Sequence, residues 1–189
     1  MKIGYLLVVA AAFIFFESCS SSRKSASPRK AKDTEIKSRV VIKKKVPAKT
    51  INTKGIAAEE LVVFAESLQG VPYKYGSIDI KKGFDCSGFI TYVFNHYGIS
   101  VPRTSSDFTN AGNEVSMKDC KRGDIILFTG SDPNSGIVGH MGIITRNSGG
   151  IINFIHAASG GGRGVMISGM SDYFVTRFVK VIRIFSIFE

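Results

Sequence analysis

The chain has 189 residues, with 25 Lys and Arg against 15 Asp and Glu, a formal charge of +10. Residues 20–55 hold 12 basic residues and two acids, whereas residues 56–189 hold 12 of each. A nucleic-acid-binding fold needs its positive charge on a folded surface, so no nucleic-acid partner is expected. The three cysteines, Cys19, Cys86 and Cys120, include no CxxC pair, which excludes a disulfide framework and the common zinc modules.

The chain opens with Lys2, an uncharged run over residues 3–16, and the small residues Ser18 and Cys19. Residues 1–18 read as an export signal. The run of 14 residues is shorter than the roughly 20 that a membrane-spanning helix needs. The FESC tetrapeptide resembles a bacterial lipobox, although Phe16 and Glu17 depart from the small or branched residues usual there. Cys19 is therefore the candidate lipidation site, giving a membrane partner through a lipid anchor and a location in the bacterial envelope, on the outer membrane facing the periplasm. From Cys19 to residue 55 the composition is rich in Ser, Lys and Arg without an aromatic residue, too little apolar area to offset chain entropy. Residues 20–55 form a basic tether with an end-to-end distance of roughly 30–36 Å. Its lysines are either solvated linker charge or are drawn to anionic headgroups beside the anchor.

Residues 56–189 suit one compact domain. AAEELVVFAESLQG places Leu61, Phe64, Ala65 and Leu68 on one face, with Glu59 and Glu60 in the first turn and Gly70 as a stop, which predicts an amphipathic helix. A turn-rich loop, VPYKYGSIDIKKGFD, follows. A second helix is predicted over residues 86–97, its apolar stripe formed by Cys86, Phe89, Ile90, Val93, Phe94 and Tyr97, with Gly98 as its stop. A short helix is predicted over residues 105–111, capped by Thr104 or Ser105.

Strands are predicted over residues 124–128, 138–146, 151–157 and 179–187, with residues 171–178 as a helix or irregular crossing piece. Helices first and hairpin-linked strands afterwards give an α+β domain on an antiparallel sheet. The GGGRG run at 160–164 is not followed by a helix that could present amides to phosphate, and reads as a loop.

Cys86 begins the second helix. A thiolate is stabilised by the unpaired amides of a helix N-terminus, so a lowered pKa is expected, and the same amides can receive an oxyanion. Gly88 allows close backbone approach. A buried structural cysteine and a Cys86–Cys120 disulfide are the competing readings. A nucleophilic thiol needs a base. His96 lies nearly three helical turns away, about 15 Å along the axis, and cannot serve. His140 and His156 fall on consecutive strands. A three-residue turn over 147–149, with Gly149 left-handed, sets Arg146 opposite Gly150 and His140 opposite His156 on one face. A two-residue turn would shift the register by one and separate them, so an odd-numbered loop is expected. One imidazole then faces the thiol and the other fixes its tautomer. A Cys/His/His zinc site is the remaining alternative, although it lacks a close ligand pair.

GVPYKYG (70–76), GFDCSGF (83–89), YVFNHYGISVPRTS (92–105), KRGDIILF (121–128), VGHMGI (138–143) and FIHAAS (154–159) resemble, in order, the NlpC/P60 family of cell-wall peptidases, and within it the Spr-type lipoprotein murein endopeptidases. The resemblance implies a papain-like core, with Cys86 as nucleophile, His140 as base and His156 as the group that orients it. It also implies that the Tyr73 hydroxyl assists the oxyanion site and that Asp85, Ser87, Arg103 and Ser105 line a groove for the stem peptide. Phe108 stands where many relatives carry glutamine, and GSDPNSGIVG before His140 is longer than the usual loop. Tyr73 and Tyr75 could instead pack over the first helix, Asp85 could serve as an N-cap, and Arg103 could be a solvated turn residue. The implied function is a cysteine peptidase acting on peptidoglycan, cutting either the D-alanyl–diaminopimelate cross-link or the γ-D-glutamyl bond. It needs no cofactor or metal, and a monomer is expected. The alternative is a wall-binding lipoprotein that does not catalyse.

Overall fold

The computed structural model describes residues 51–160 and 164–185. The export signal, Cys19, residues 20–50 of the tether and residues 161–163 of the glycine-rich run lie outside the described residues. Residues 51–55 were expected to belong to the tether, but Ile51 packs against the core and Thr53 is buried.

Helix α1 (Ala58–Ser67) turns Leu61, Val62 and Ala65 inward. Helix α2 (Cys86–His96) buries Phe89, Ile90, Val93 and Phe94. The Tyr97 hydroxyl donates to the Glu60 carbonyl at 3.1 Å, and His96 stacks on Phe64 with ring centroids 3.8 Å apart. His96 is thereby used in helix packing. The turn-rich loop between the helices contains a hairpin that periodicity does not reveal, β1 (Ile78–Asp79) with β2 (Gly83–Phe84). The short helix is a 3-10 turn over Ser106–Asn110.

The sheet is antiparallel and six-stranded: β3 (Asn113–Val115), β4 (Ile125–Thr129), β5 (Val138–Ser148), β6 (Ile151–Ala157), β7 (Val165–Gly169) and β8 (Phe178–Arg183), in the spatial order β3-β8-β4-β5-β6-β7. β3 and β7 were not predicted, and the last strand stops at Arg183 rather than continuing to 187. A four-residue helix, α3 (Asp172–Val175), occupies the crossing piece.

Apolar residues on both faces of β4 mark a central strand covered on both sides. Ile125 and Leu127 face α1 and α2 with Met141, Ile143 and Ile155. Ile126 and Phe128 face the other way with Ile144, Ile152, Phe154 and Val181, and there Phe174 of α3 and Phe178 close the layer. Phe108 is wholly buried in the helix-side core.

Candidate active site

Cys86 is the first residue of α2, and Asp85 is the N-cap, its carboxylate accepting from the Gly88 N–H. A side chain at Gly88 would collide with the backbone oxygen of Ser77 and stand 2.9 Å from the Asp85 carboxylate, so glycine lets the loop press against the helix start. Arg103 grips Asp85 with both arms, Nη2 to Oδ2 at 2.7 Å and Nη1 to Oδ1 at 3.2 Å, and Nη1 also donates to Ser87 Oγ at 3.0 Å. The Ser87 hydroxyl in turn donates to Asp85 at 3.2 Å. Three expected groove residues are therefore brought together, but Asp85 and Ser87 are buried and bind one another and Arg103. They hold the start of α2 in place. Ser105 precedes the 3-10 turn without a side-chain capping bond.

The lowered thiol pKa expected from the helix N-terminus is not met. Burial, followed by the Asp85 carboxylate, pushes Cys86 up to about 11, and the backbone hydrogen bonds of Ser87 and Cys86, which act in the opposite direction, are outweighed. Cys86 and Cys120 are both free thiols, so the competing disulfide is not formed.

His140 Nε2 and His156 Nδ1 lie 2.8 Å apart. The turn that leads to this pair is not the three-residue one expected. The β5–β6 loop has two residues, Gly149 and Gly150, both at positive φ (60° and 89°), with Ser148 paired to Ile151. That register alone would put the histidines on opposite faces. A bulge at Thr145 shifts the ladder by one, so that Ile144 pairs with Phe154 and Ile143 with Ile155. Continuing that ladder, His156 falls across from Gly142, and His140 becomes its diagonal neighbour on the same face.

Both histidines stand on the face of Phe128 and Phe154, and Phe174 meets both rings, with centroids 6.4 Å from His140 and 5.5 Å from His156. This apolar wall desolvates His140 and pushes it down to about 4. Because Nε2 is engaged by His156, Nδ1 is the nitrogen left for a proton acceptor's role. Cys86 meets this face at the β4–β5 end of the sheet. There Thr129 pairs with Val138 and Phe128 with His140, leaving Gly139 bulged out, and the thiol lies 3.8 Å from the Gly139 carbonyl.

Cys86, His140 and Tyr73 line one cavity of about 190 Å³, with Thr129 and Arg177 at its wall. Burial, then the neighbouring Cys86 and Asp85, raises the Tyr73 phenol. Tyr75, its partner in the sequence reading, is 86% exposed. A second cavity of about 370 Å³ adjoins on the far side of His140, lined by His156, Ser159, Met166, Ser168 and Tyr173. The larger hollows, around residues 51–54 with 98–111 and around 117–121 with 147–152, contain neither Cys86 nor the two strand histidines.

Two features escaped the sequence. Phe174 covers the histidines from a helix too short to show periodicity. The Ser168 hydroxyl lies 2.9 Å from His156 Nε2. Its strand follows a glycine-rich run and reads VMISG, where alternation is too weak to mark a strand. The zinc alternative needs Cys, His and His converging on a metal, and among the described residues no group of three or more His, Cys, Asp or Glu is so arranged.

The model of the NlpC/P60 family matches residues 70–183. The gamma-D-glutamyl-L-lysine dipeptidyl-peptidase of Bacillus subtilis is 36% identical over 86 residues, 46% of this chain and 28% of that protein. The murein DD-endopeptidase MepS/murein LD-carboxypeptidase of Escherichia coli K12 is 34% identical over 120 residues, 62% of this chain and 58% of that one. In each case the match spans less than two thirds of the relative's length. A crystal structure of an NlpC/P60 family protein from Bacillus cereus superposes with a TM-score of 0.60 and 27% identity, over 68% of this chain and 40% of that one.

Proposed function

The chain belongs to the NlpC/P60 family, and from that premise we propose that it is a cysteine peptidase hydrolysing amide bonds in the stem peptides or cross-links of peptidoglycan. One observation carries the reading: Cys86, at a helix start, shares a small cavity with His140, whose Nε2 is tied to His156. With the thiol held up to about 11 and the imidazole down to about 4, the resting pair is uncharged at neutral pH. The thiol proton therefore passes to His140 Nδ1 as sulfur attacks the carbonyl. Backbone amides at the start of α2 and the Tyr73 hydroxyl receive the oxyanion. The imidazolium protonates the leaving amine, and His140 then draws a proton from the water that hydrolyses the thioester and returns it to the departing Cys86 sulfur.

The test is incubation with dimeric disaccharide-tetrapeptide muropeptides, with products resolved by mass spectrometry. Cys86→Ala should reduce turnover by about 10³-fold or more; a Cys86→Ala protein that cleaves like the parent would overturn the reading. The Spr-type resemblance and the name of the Escherichia coli relative favour the D-alanyl–diaminopimelate cross-link. The Bacillus subtilis relative points to the γ-D-glutamyl bond, and the product masses separate the two.

The same reading assigns residues 1–18 as the export signal, Cys19 as the acylated first residue of the mature protein, and the basic tether as the link between an envelope membrane and the peptidase domain. Its support is the order of apolar run, lipobox-like tetrapeptide and charged spacer. Cys19→Ser should move the protein from the membrane fraction to the soluble one; unchanged fractionation would reject the anchor.

A further inference from the structure

Three arginines of the domain grip carboxylates: Arg103 holds Asp85 at 2.7 Å, Arg122 holds Glu66 at 2.8 Å and Arg183 holds Asp124 at 2.7 Å. Arg177, between α3 and β8, is also held in place, but by neutral groups alone. Its backbone carbonyl accepts from the Thr129 N–H at 2.8 Å, which fixes it beside the end of β4. Nη1 donates to the Tyr173 carbonyl at 3.2 Å and to Thr176 Oγ1 at 3.3 Å, and Nη2 donates to the Ser131 carbonyl at 3.4 Å. The guanidinium stands 3.9 Å over the Tyr173 ring. Among the described residues it has no ion-pair partner. Two of its five N–H donors are left over, one on Nη2 and the one on Nε, which is buried without an acceptor. A donor without a partner and a cation without a counter-ion both cost folding free energy, so packing alone does not account for this arginine.

Its surroundings do. Arg177 lines the 190 Å³ cavity that also holds Cys86 and His140. With thiol and imidazole both neutral at rest, Arg177 is the one ionised side chain among the described residues of that wall. Phe128 and Phe174 line the same cavity and weaken the screening of a charge there. We propose that Arg177 is a specificity-determining residue that holds a carboxylate of the substrate beside the amide Cys86 attacks. The planar guanidinium matches a carboxylate in shape and charge. Because Tyr173, Thr176 and Ser131 already clamp it, little rotamer freedom is lost on binding. Stem peptides supply such a carboxylate at both candidate bonds. In the D-alanyl–diaminopimelate link it sits on the carbon that bears the leaving amine, and in the γ-D-glutamyl link it is the α-carboxylate of the glutamate. A neutral amide in its place would leave the cation without a counter-ion in the closed complex, so the site selects against amidated stems.

In turnover the proposal rests on the peptidase reading; in binding it does not. The probes are dimeric tetrapeptide muropeptides, as the free acid and with the diaminopimelate or the D-glutamate carboxyl singly amidated. The parent should favour the free acid over one of the two amides by about 10-fold or more in kcat/KM, and the disfavoured amide names the carboxylate that is held. Arg177→Gln should bring that pair of substrates within about twofold of each other. Arg177→Lys keeps the charge without the planar fork and should fall between, which carries the test should the glutamine variant not fold. Calorimetric titration of full-length Cys86→Ala, with and without Arg177→Gln, should show the same preference and its loss in Kd. A parent that treats all three muropeptides alike would overturn the proposal. So would an Arg177 variant that loses equally on free acid and amide, which would make the residue only a clamp between Ser131 and α3. Should the parent leave every muropeptide uncut while the Kd values differ as expected, the peptidase reading fails and the carboxylate site stands.

Discussion

Cys86 and His140 are both held neutral by the site that brings them together. Burial works in opposite directions on a thiol and an imidazole, raising the one and lowering the other. A thiolate–imidazolium ion pair in the resting protein would alkylate readily and show a plateau at low pH. A neutral pair behaves otherwise. Iodoacetamide modification of Cys86, followed by peptide mass spectrometry that resolves it from Cys120, should rise by about tenfold per pH unit from pH 7 to 10 without a plateau in that range. A rate already flat between pH 5 and 8 would show that the ion pair forms without substrate. The position of Cys86 was legible in the sequence because a helix start is written in its neighbours, from Gly83 through Asp85 to the stripe ending at Tyr97. Its protonation was not, because desolvation depends on residues remote in the chain, such as Phe128 and Gly139 near the thiol's cavity.

The elements act on this site through two irregularities of the sheet and one cover. The bulge at Thr145 sets the face of the histidines, and the bulge at Gly139 opens the strand end to the thiol. Alternation in β5 and β6 predicts that His140 and His156 share a face only if the turn length is known, and a compensating pair of irregularities, an even turn and a bulge, leaves no mark in hydrophobic pattern. Ser168 was hidden further, since its strand had to be found before its register had meaning. The cover is α3, four residues held against β4 and β6 by Phe174, whose ring meets Phe128 at a tilt and Phe154 edge-to-face, with centroids 5.0 and 4.8 Å away. Because desolvation depresses the His140 pKa, Phe174→Ala should admit water and raise it from about 4 towards the ordinary value near 6.5. An NMR titration of the ring checks this, and a pKa still near 4 in the variant would assign the desolvation to the sheet alone.

At the scale of the molecule, the charge divides from the chemistry: residues 56–189 balance 12 basic against 12 acidic residues, so general repulsion in the folded part is small near neutrality. The pH limits of its stability then fall to groups whose protonation differs between folded and unfolded chain. His140 has a folded pKa near 4 against 6.5 unfolded, so the unfolded chain binds more protons between those values. The neutral imidazole's contribution is complete above pH 6.5 and is lost as pH falls towards 4. Cys86 mirrors it, with a folded pKa near 11 against 9. Its contribution is complete below pH 9 and is lost as pH rises towards 11, with buried Cys120, also shifted upward, adding in the same direction. Each effect is at most about 3 kcal/mol from the size of the shifts. Urea unfolding of the parent should therefore show a plateau between about pH 6.5 and 9 and a decline on either side. On the acid side, His140 contributes over about pH 4.5–6.5, whereas Glu66, paired with Arg122 and lowered by it, starts to contribute only below that range. His140→Gln should make the profile shallower there, and Cys86→Ser should shrink but not abolish the alkaline decline. If the parent and His140→Gln lose stability in parallel from pH 6.5 to 4.5, the fold does not hold that imidazole neutral, and the uncharged resting pair has to be replaced by an ion pair.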